Sequence, residues 1–298
     1  MTGSAQAAVD LSSVTTPVSA VEAYMRSFIK ARPMPEHLAE AVLYALMGGG
    51  KRVRPTLVVR SCEAVGGSVD DAMPAAAAIE MVHAFSLVHD DLPAMDDDDL
   101  RRGRPTLHKH TNEAMAILAG DMLLSLAFEL VATRLKESTL VATVTRELAT
   151  ATNDMIIGQV CDTLPEWDDA VEPIERLEVI HRHKTAALLR AACRMGAVCG
   201  GASAAQLDAL TQYADAMGLM FQVVDDLLDV TQSTEHLGKT AGKDIEQDKL
   251  TYPAVLGVDA TKQEVERLRI VATTSLEPLG EKAEPLVAFA QSMAVRTK

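Results

Sequence analysis

The feature that most constrains this chain is an apolar segment that is followed directly by a run of aspartates. Residues 75–88 are rich in alanine and aliphatic side chains and contain no glycine or proline, which favours a buried helix. Six of the ten residues from 90 to 99 are aspartates, and Arg101 and Arg102 follow. The carboxylates therefore gather at the C-terminal end of a helix, where the helix dipole disfavours anions. The block is either a solvated loop, as most charge runs are, or it is neutralised by a positive partner.

A second acidic cluster favours the positive partner. Asp225, Asp226 and Asp229 lie within another apolar segment, at spacings that place Asp229 on the same helix face as the other two. Like charges at these spacings destabilise a helix unless a cation neutralises them. Two such clusters at the ends of buried helices predict one shared site for Mg²⁺, a hard cation that prefers oxygen ligands. The adjacent arginines suit a phosphate group, with which guanidinium pairs through two hydrogen bonds.

Composition predicts the fold class. The 298-residue chain is 48% hydrophobic but only 3% aromatic, and long segments lack glycine and proline, which is typical of an all-α protein. We find no internal repeat and no long strand alternation, so we predict one helical domain over residues 18–298. The formal net charge of −14 argues against nucleic-acid binding. An acidic protein that binds an anion needs metal ions or locally placed Lys and Arg.

The cysteines and the N-terminal residues bear on the compartment. The four cysteines fit no zinc spacing and lie among apolar residues, so we expect reduced thiols and a cytoplasmic location. Residues 1–17 lack the basic start and apolar core of a signal peptide, and we expect a disordered arm there. Asp121 interrupts the most apolar helix, which argues against stable membrane insertion.

Glycine and proline positions predict where the helices begin and end. Helices are expected at about residues 18–31, 35–47, 55–65, 70–90, 112–136, 139–162, 173–183, 185–198 and 204–230, followed by two or three more. Asp70 or Asp71 is the expected cap of the helix that leads to Asp90. The polar segment at residues 231–249 is too long for an ordinary turn and is a candidate lid.

Five segments match motifs of one known family in order and spacing. They are Gly49–Pro55 (GGKRxRP), Asp90–Asp96 (DDxxxxD) followed by Arg101-Arg102-Gly103, Lys184-Thr185, Phe221-Gln222 with Asp225–Asp229 (DDxxD), and Gly238-Lys239-Thr240. Through them the chain resembles the trans-isoprenyl diphosphate synthases, or polyprenyl synthetases, in particular the bacterial short-chain farnesyl and geranylgeranyl diphosphate synthases. The matching segments lie between about residues 38 and 253.

The resemblance implies an isoprenoid synthase fold, a single-domain bundle of antiparallel helices around a central active-site cavity, and a homodimer. It implies Mg²⁺-dependent condensation of isopentenyl diphosphate with an allylic diphosphate, dimethylallyl or geranyl, into a short-chain all-trans prenyl diphosphate. Several magnesium ions would bind per active site. By analogy, Asp90 and Asp96 would hold ions on one side of the allylic diphosphate and Asp225 on the other, with Asp91 and Asp229 in support.

The analogy also assigns the residues that bind substrate. Those expected at the allylic diphosphate are Arg101, Lys184 and Lys239, with Thr185 and Gln222 beside the reacting end. Those expected at isopentenyl diphosphate are Lys51, Arg54, His83 and Arg102. The expected catalytic residues are Asp90, Asp96, Asp225, Lys184 and Arg101. Alternatives stay open: Lys51 and Arg54 could be ordinary helix-capping cations, and His83 a core histidine. Lys249 would either cover the diphosphates when residues 231–249 close or be a solvated lysine.

Product length is predicted from the residues before the first motif. Phe85 precedes Asp90 by five positions, about 7.5 Å along a helix. A bulky aromatic there would form a floor for the growing chain, whereas Ala84 offers no obstruction. We therefore expect farnesyl diphosphate as the main product and geranylgeranyl diphosphate as the alternative. The other interpretation is that Phe85 only packs against a neighbouring helix or subunit.

Two other classes of protein share some of these features. A non-catalytic partner subunit of an active synthase usually lacks one aspartate motif, whereas this chain has both. A terpene cyclase would share the helical fold but not the isopentenyl diphosphate pocket expected at Lys51, Arg54 and Arg102.

Overall fold

The computed structural model describes residues 17–231 and 250–296, and these are almost entirely helical. The helices are α1 Val18–Ala31, α2 Glu36–Leu46, α3 Val53–Val65, α4 Val69–Asp90, α5 Leu107–His110, α6 Glu113–Arg134, α7 Ser138–Thr163, α8 Pro173–His181, α9 Ala187–Cys199, α10 Ala204–Thr231, α11 Tyr252–Leu256, α12 Val258–Ser275 and α13 Glu284–Ala294. A 3₁₀ segment, Glu277–Ala283, precedes α13. The all-α class is confirmed.

Within the described ranges, the only strands form one small antiparallel hairpin. It pairs β1, Leu100–Arg101, with β2, Arg104–Pro105. The expected N-terminal arm, apart from Pro17, and the candidate lid, apart from Thr231, lie outside the described residues, as do Lys239 and Lys249.

Two local details differ from the expectations. The N-cap of α4 is Ser68 and not Asp70 or Asp71, because the Ser68 hydroxyl accepts the Asp71 N–H while the Asp71 carboxylate accepts the Ser68 N–H at 3.0 Å. The second is a π-helical turn, Arg182–Ala186, which joins α8 to α9 where a simple break was expected. The other predicted boundaries agree with the structure to within one or two residues.

Helix α4 lies at the centre of the bundle. Every residue from Ala72 to Val82 is buried, and α4 packs against α3, α6 and α9. A helix that is apolar all round is typical of a core element. Its contact with α6 is close, because a Cβ added at Gly120 would lie 2.2 Å from a ring nitrogen of His89. The carboxylates that follow α4 are therefore delivered from a rigid, buried position.

Two helices are long and apolar enough to cross a membrane by length and composition alone, α4 and α6. Most of α4 is buried within the bundle, as expected for the core helix of a globular fold. Less than half of α6 is buried, and two of its large apolar side chains, Ile117 and Leu118, are exposed.

Candidate active site

The first aspartate motif folds back over the C-terminal end of α4. The Asp96 backbone N–H donates to the Asp90 carbonyl oxygen at 2.9 Å. Burial raises the pKa of the Asp90 carboxyl to about 6, while the ammonium of Lys184 opposes this shift and the Asp96 carboxylate adds to it. A carboxyl group with so high a pKa lies in surroundings that lack sufficient positive charge.

The β-hairpin places an arginine against this motif. Arg101 Nε donates to the Asp91 carboxylate at 2.7 Å, and its Nη2 lies 2.5 Å from the same oxygen. Asp91 is only 3% exposed. Burial raises the pKa of Asp91, and the hydrogen bond from Arg101 lowers it in part. Arg101 therefore lies beside the first motif, and its role at the allylic diphosphate stays a prediction.

A cluster of basic side chains lies between α3, α4 and the hairpin, with Arg54 and His83 partly buried and Arg102 exposed. Burial lowers the pKa of Arg54 to about 10, with Arg102 contributing in the same direction against Glu80. The Arg54 Nε has no hydrogen-bond partner. His83 is pushed well below its ordinary pKa by burial and then by Arg54 and Arg102. We call Arg54 and Arg102, together with the uncharged His83, the cationic cluster.

The cationic cluster has the properties of an anion site. Beyond the effect of burial, Arg102 lies close enough to lower the pKa of Arg54 against the pull of Glu80, and an orphaned buried donor costs about 1–3 kcal/mol unless a partner arrives. Arg102 has a left-handed backbone, with φ of +53°, and its guanidinium donates to the carbonyl oxygen of Gly49. Lys51, in the same loop as Gly49, is exposed. A diphosphate would supply the missing negative charge.

Arg52 has a different environment from its neighbours and was given no role by sequence analysis. It is 4% exposed, with donors 2.8 Å from the Glu22 carboxylate, 2.7 Å from the Glu80 carboxylate and 2.8 Å from the Leu46 carbonyl oxygen. Its φ of +50° turns the chain between α2 and α3. Arg52 thus anchors the loop that carries Lys51 and the start of α3.

The π turn contacts two other helices, α7 and α10, through its side chains. Lys184 Nζ donates to the Asp162 carboxylate of α7 at 2.5 Å, and Thr185 Oγ1 donates to Gln222 Oε1 of α10 at 2.9 Å. Gly158 permits this packing, because an added Cβ would lie 2.1 Å from the Lys184 backbone nitrogen. A cavity of about 530 Å³ opens here, lined in part by Asp162, Lys184, Thr185 and Gln222. The sequence predicted three of these four; Asp162 was read only as a helix end.

The three aspartates of the second motif have three different environments. Asp225 pairs with Arg296. Asp226 is 5% exposed and accepts the Tyr252 backbone N–H at 2.9 Å, which fixes the start of α11. Asp229 is 7% exposed, and one of its oxygens, Oδ2, is buried without a hydrogen-bond partner.

The two motifs suit a magnesium site that is completed by substrate. In the part of the chain that the structure describes, no three acidic, histidine or cysteine side chains form a ready-made metal cluster. The raised pKa of Asp90 and the orphaned oxygen of Asp229 are nevertheless features of carboxylates that need a cation. Mg²⁺ commonly bridges a few carboxylates to substrate phosphates. The residues present therefore fit this ion.

Phe85 lies on the side of α4 that faces α6. Its ring is 8% exposed and meets the His89 ring edge-on, with centroids 5.0 Å apart. His89 in turn lies 3.1 Å from the carbonyl oxygen of Ile117 on α6. Ala84, by contrast, lines a narrow cavity between α2, α4 and the hairpin.

Comparison with known proteins identifies the family. The polyprenyl synthetase family model matches residues 35–284. The chain belongs to this family. It is 50% identical over 273 residues to geranylgeranyl pyrophosphate synthase 11, chloroplastic, of Arabidopsis thaliana, covering 88% of this chain and 75% of the relative. It is 47% identical over 291 residues to heterodimeric geranylgeranyl pyrophosphate synthase large subunit 1, chloroplastic, of the same plant, covering 94% and 78%.

Solved structures agree with this assignment. A putative farnesyl-diphosphate synthase from Marinomonas sp. MED121 matches with a TM-score of 0.81 and 37% identity, covering 95% of this chain and 98% of that one. The chain is therefore a short-chain prenyltransferase of isoprenoid biosynthesis with an isoprenoid synthase fold.

The relatives correct one expectation. Both plant synthases are named chloroplastic, which contradicts the cytoplasmic location predicted from the cysteines. The physical reason is that the thiols are packing groups. Cys62 and Cys193 are buried, and burial raises the pKa of each to about 12. Such thiols are inert in any compartment and say little about location.

Proposed function

We propose that the chain is a Mg²⁺-dependent geranylgeranyl diphosphate synthase that adds isopentenyl diphosphate to allylic diphosphates. The observation that carries the proposal is the cationic cluster, in which the buried Arg54 Nε has no hydrogen-bond partner and Arg102 lies near Asp91 of the first acidic motif. A protein that binds one diphosphate through cations and a second through carboxylate-held metal has the parts for head-to-tail condensation. The longer product is favoured by the names of the relatives.

The allylic diphosphate would lie between the two motifs. Asp90, Asp96 and Asp225 would hold magnesium ions, with Asp91 and Asp229 supporting them. Bound magnesium would stabilise the negative charge that develops on the leaving diphosphate. Arg101, Lys184 and Lys239 would bind the same group through charge-assisted hydrogen bonds. Lys184 carries its own counter-ion, Asp162, so the arriving diphosphate competes with this carboxylate.

The second substrate would bind without metal. Arg54, His83 and Arg102 would bind the diphosphate of isopentenyl diphosphate, with Lys51 at the rim. Thr185 and Gln222, which hydrogen-bond each other at 2.9 Å, would lie beside the carbocation. Lys249 would cover the diphosphates.

The names of the relatives favour the longer of the two products. The Phe85 ring contacts His89 edge-on, as the packing interpretation expects. We therefore replace farnesyl diphosphate, expected from Phe85, with geranylgeranyl diphosphate.

One assay tests the proposal against its alternatives. The protein is incubated with isopentenyl diphosphate, each of dimethylallyl, geranyl and farnesyl diphosphate, and Mg²⁺, and the products are identified by mass spectrometry. A mainly C20 linear diphosphate is expected. A mainly C15 product would favour the farnesyl synthase, a cyclic hydrocarbon the terpene cyclase, and the absence of turnover a non-catalytic subunit.

A homodimer is the second part of the proposal. Exposed apolar side chains cluster on α6 and α7: Ile117, Leu118, Ile156, Ile157 and Val160, each at least 44% exposed. Such a patch marks an interaction surface. A second copy of the chain is the proposed occupant, although one relative is named as a subunit of a heterodimer.

Sedimentation of the purified chain tests the assembly. Leu118→Glu should shift a dimer to monomer, whereas Ile270→Glu, at a similarly exposed position on α12, should not. A wild-type monomer would contradict the homodimer.

A further inference from the structure

Arg296, which follows α13, reaches the second aspartate motif. Its Nη2 donates to the Asp225 carboxylate and, at 3.1 Å, to the carbonyl oxygen of Phe221 one turn earlier on α10. The guanidinium lies over the Phe221 ring, 4.4 Å from its centroid. The Arg296 side chain is 12% exposed, and its Nε is buried without a hydrogen-bond partner. The side chain is thus built into the surface of α10.

The helix before Arg296 is fixed to α10 at a second point. The buried Tyr213 hydroxyl donates to the Leu286 carbonyl oxygen at 3.0 Å. The two contacts follow the same order in both segments, Tyr213 before Asp225 and Leu286 before Arg296, so α10 and α13 run in the same direction. Arg296 therefore lies at the end of the α10–α13 contact that is nearer the proposed metal site.

We propose that Arg296 is a positioning residue for Asp225, holding this carboxylate in the orientation in which it serves magnesium. The inference rests on the proposed function, because it takes Asp225 as a carboxylate that holds the ion. Sequence analysis gave Arg296 no role, since a lone arginine far from every motif has no signature.

The contacts of Arg296 indicate that it stays in place when metal binds. Two of the three, the hydrogen bond and the stacking, are made with Phe221 and do not depend on Asp225. A guanidinium is always charged and presents its donors in a fixed plane, so it restricts the rotamer of the carboxylate that it contacts. Loss of a group that orients a metal ligand typically costs about 10- to 100-fold in metal affinity or activity.

The experiment compares six proteins: the wild type, Arg296→Met, Arg296→Lys, Asp225→Asn, the double variant Asp225→Asn/Arg296→Met and a control. Tyr213→Phe is the matched control, because it removes the other attachment of α13 without touching Asp225. The first readout is the unfolding temperature during a Mg²⁺ titration with inorganic pyrophosphate present. The second is steady-state turnover with both substrates.

Arg296→Met should raise the Mg²⁺ concentration at half-maximal stabilisation about 10-fold or more. It should lower kcat while the KM for isopentenyl diphosphate stays near normal, and Arg296→Lys should recover part of both losses. Tyr213→Phe should titrate like the wild type. The double variant should be no worse than Asp225→Asn alone, because Arg296 acts through that carboxylate.

The failures of the two proposals are distinguishable. If Mg²⁺ with pyrophosphate does not stabilise the wild type, the proposed metal role itself fails. If the wild type responds, Asp225→Asn does not, and Arg296→Met titrates normally, Arg296 does not position Asp225. Additive losses in the double variant, or an equal loss in Tyr213→Phe, would reduce Arg296 to a helix-docking residue and overturn the inference.

Discussion

At the scale of single residues, Arg52 and Arg54 show how one basic segment serves two purposes. Arg52 donates to two carboxylates and a carbonyl oxygen in the interior. Arg54 retains an orphaned buried nitrogen. Sequence analysis selected Arg54 through its family motif and left Arg52 unassigned. It could not separate them physically, because the left-handed turn at Arg52 and the position of Glu80 depend on the folded chain.

The two arginines should give opposite phenotypes. Arg54→Ala should raise the KM for isopentenyl diphosphate about 10- to 100-fold, because it removes one or two charge-assisted hydrogen bonds to the substrate. It should cause little loss of stability. Arg52→Ala should lower the free energy of unfolding by about 3–5 kcal/mol, because it leaves the buried Glu80 unpaired. Steady-state kinetics and urea unfolding measure the two effects. Equal KM increases for both substrates in Arg54→Ala would contradict the division of the pockets.

Asp90→Asn should stabilise the metal-free protein while abolishing most turnover. Burial raises the folded-state pKa of Asp90 to about 6, above its ordinary 3.8, so the folded chain binds more protons than the unfolded chain between these values. The free energy of unfolding in EDTA should therefore gain about 1–3 kcal/mol from this group as the pH falls from about 6 to about 4.

The substitution removes this dependence, and thermal unfolding against pH in EDTA measures it. Ser86→Ala on the same helix is the control, because it carries no charge. If Asp90→Asn unfolded earlier than the wild type at pH 7, the carboxylate would not be short of positive charge.

At the scale of secondary-structure elements, the π turn shows where prediction from sequence stops. The helices on either side were predicted, since glycine and proline positions and apolar spacing determine their bounds. The turn itself arises from tertiary contacts: Gly158 admits the backbone at Lys184, and Gln222 accepts from Thr185. None of these partners is near in sequence, so local pattern could not reveal the turn. The two-residue strands of the hairpin were missed for the related reason that they are too short to alternate.

Gly158→Ala tests whether close approach of α7 to the π turn is needed. The added methyl group would lie 2.1 Å from backbone and not from a flexible side chain, so α7 or the turn must move. We expect a loss of about 1–3 kcal/mol in stability, typical of overpacking, and a larger fall in kcat because Lys184 and Thr185 move together. Thr150→Ala, at an exposed position of α7, should change neither. Wild-type turnover by Gly158→Ala would show that the turn tolerates displacement.

Phe85→Ala tests the contact between α4 and α6. Removing a buried aromatic ring should cost about 3–5 kcal/mol of stability. If the ring packs only against His89, the product should stay C20 and turnover should continue in protein that remains folded. Product analysis alongside thermal unfolding measures both. A shift to products longer than C20 would restore Phe85 as the floor of the cavity.

At the scale of the whole molecule, net charge and site charge have opposite signs. The chain carries −14 overall, yet Arg54, Arg101 and Arg102 and the buried Arg52 all lie near the ends of α3 and α4. Composition predicted the helical class, since a chain so poor in aromatics and so rich in helix formers has few other ways to bury its apolar surface. Composition could not predict product length or compartment. Product length depends on the depth of a cavity that several helices form. Compartment does not depend on how the core is packed.

The two arginines of the cationic cluster link the lifetime of the protein to its supply of substrate. A ligand that binds only the folded chain stabilises it by about 2.7 kcal/mol at 100 times its Kd, and here part of that gain would come from pairing Arg54 and Arg102 with a diphosphate. In a cell with abundant diphosphates the enzyme would resist proteolysis. In a starved cell the ligand-free form would open more often and be degraded first, so the amount of enzyme would follow the supply of substrate without a dedicated regulatory domain.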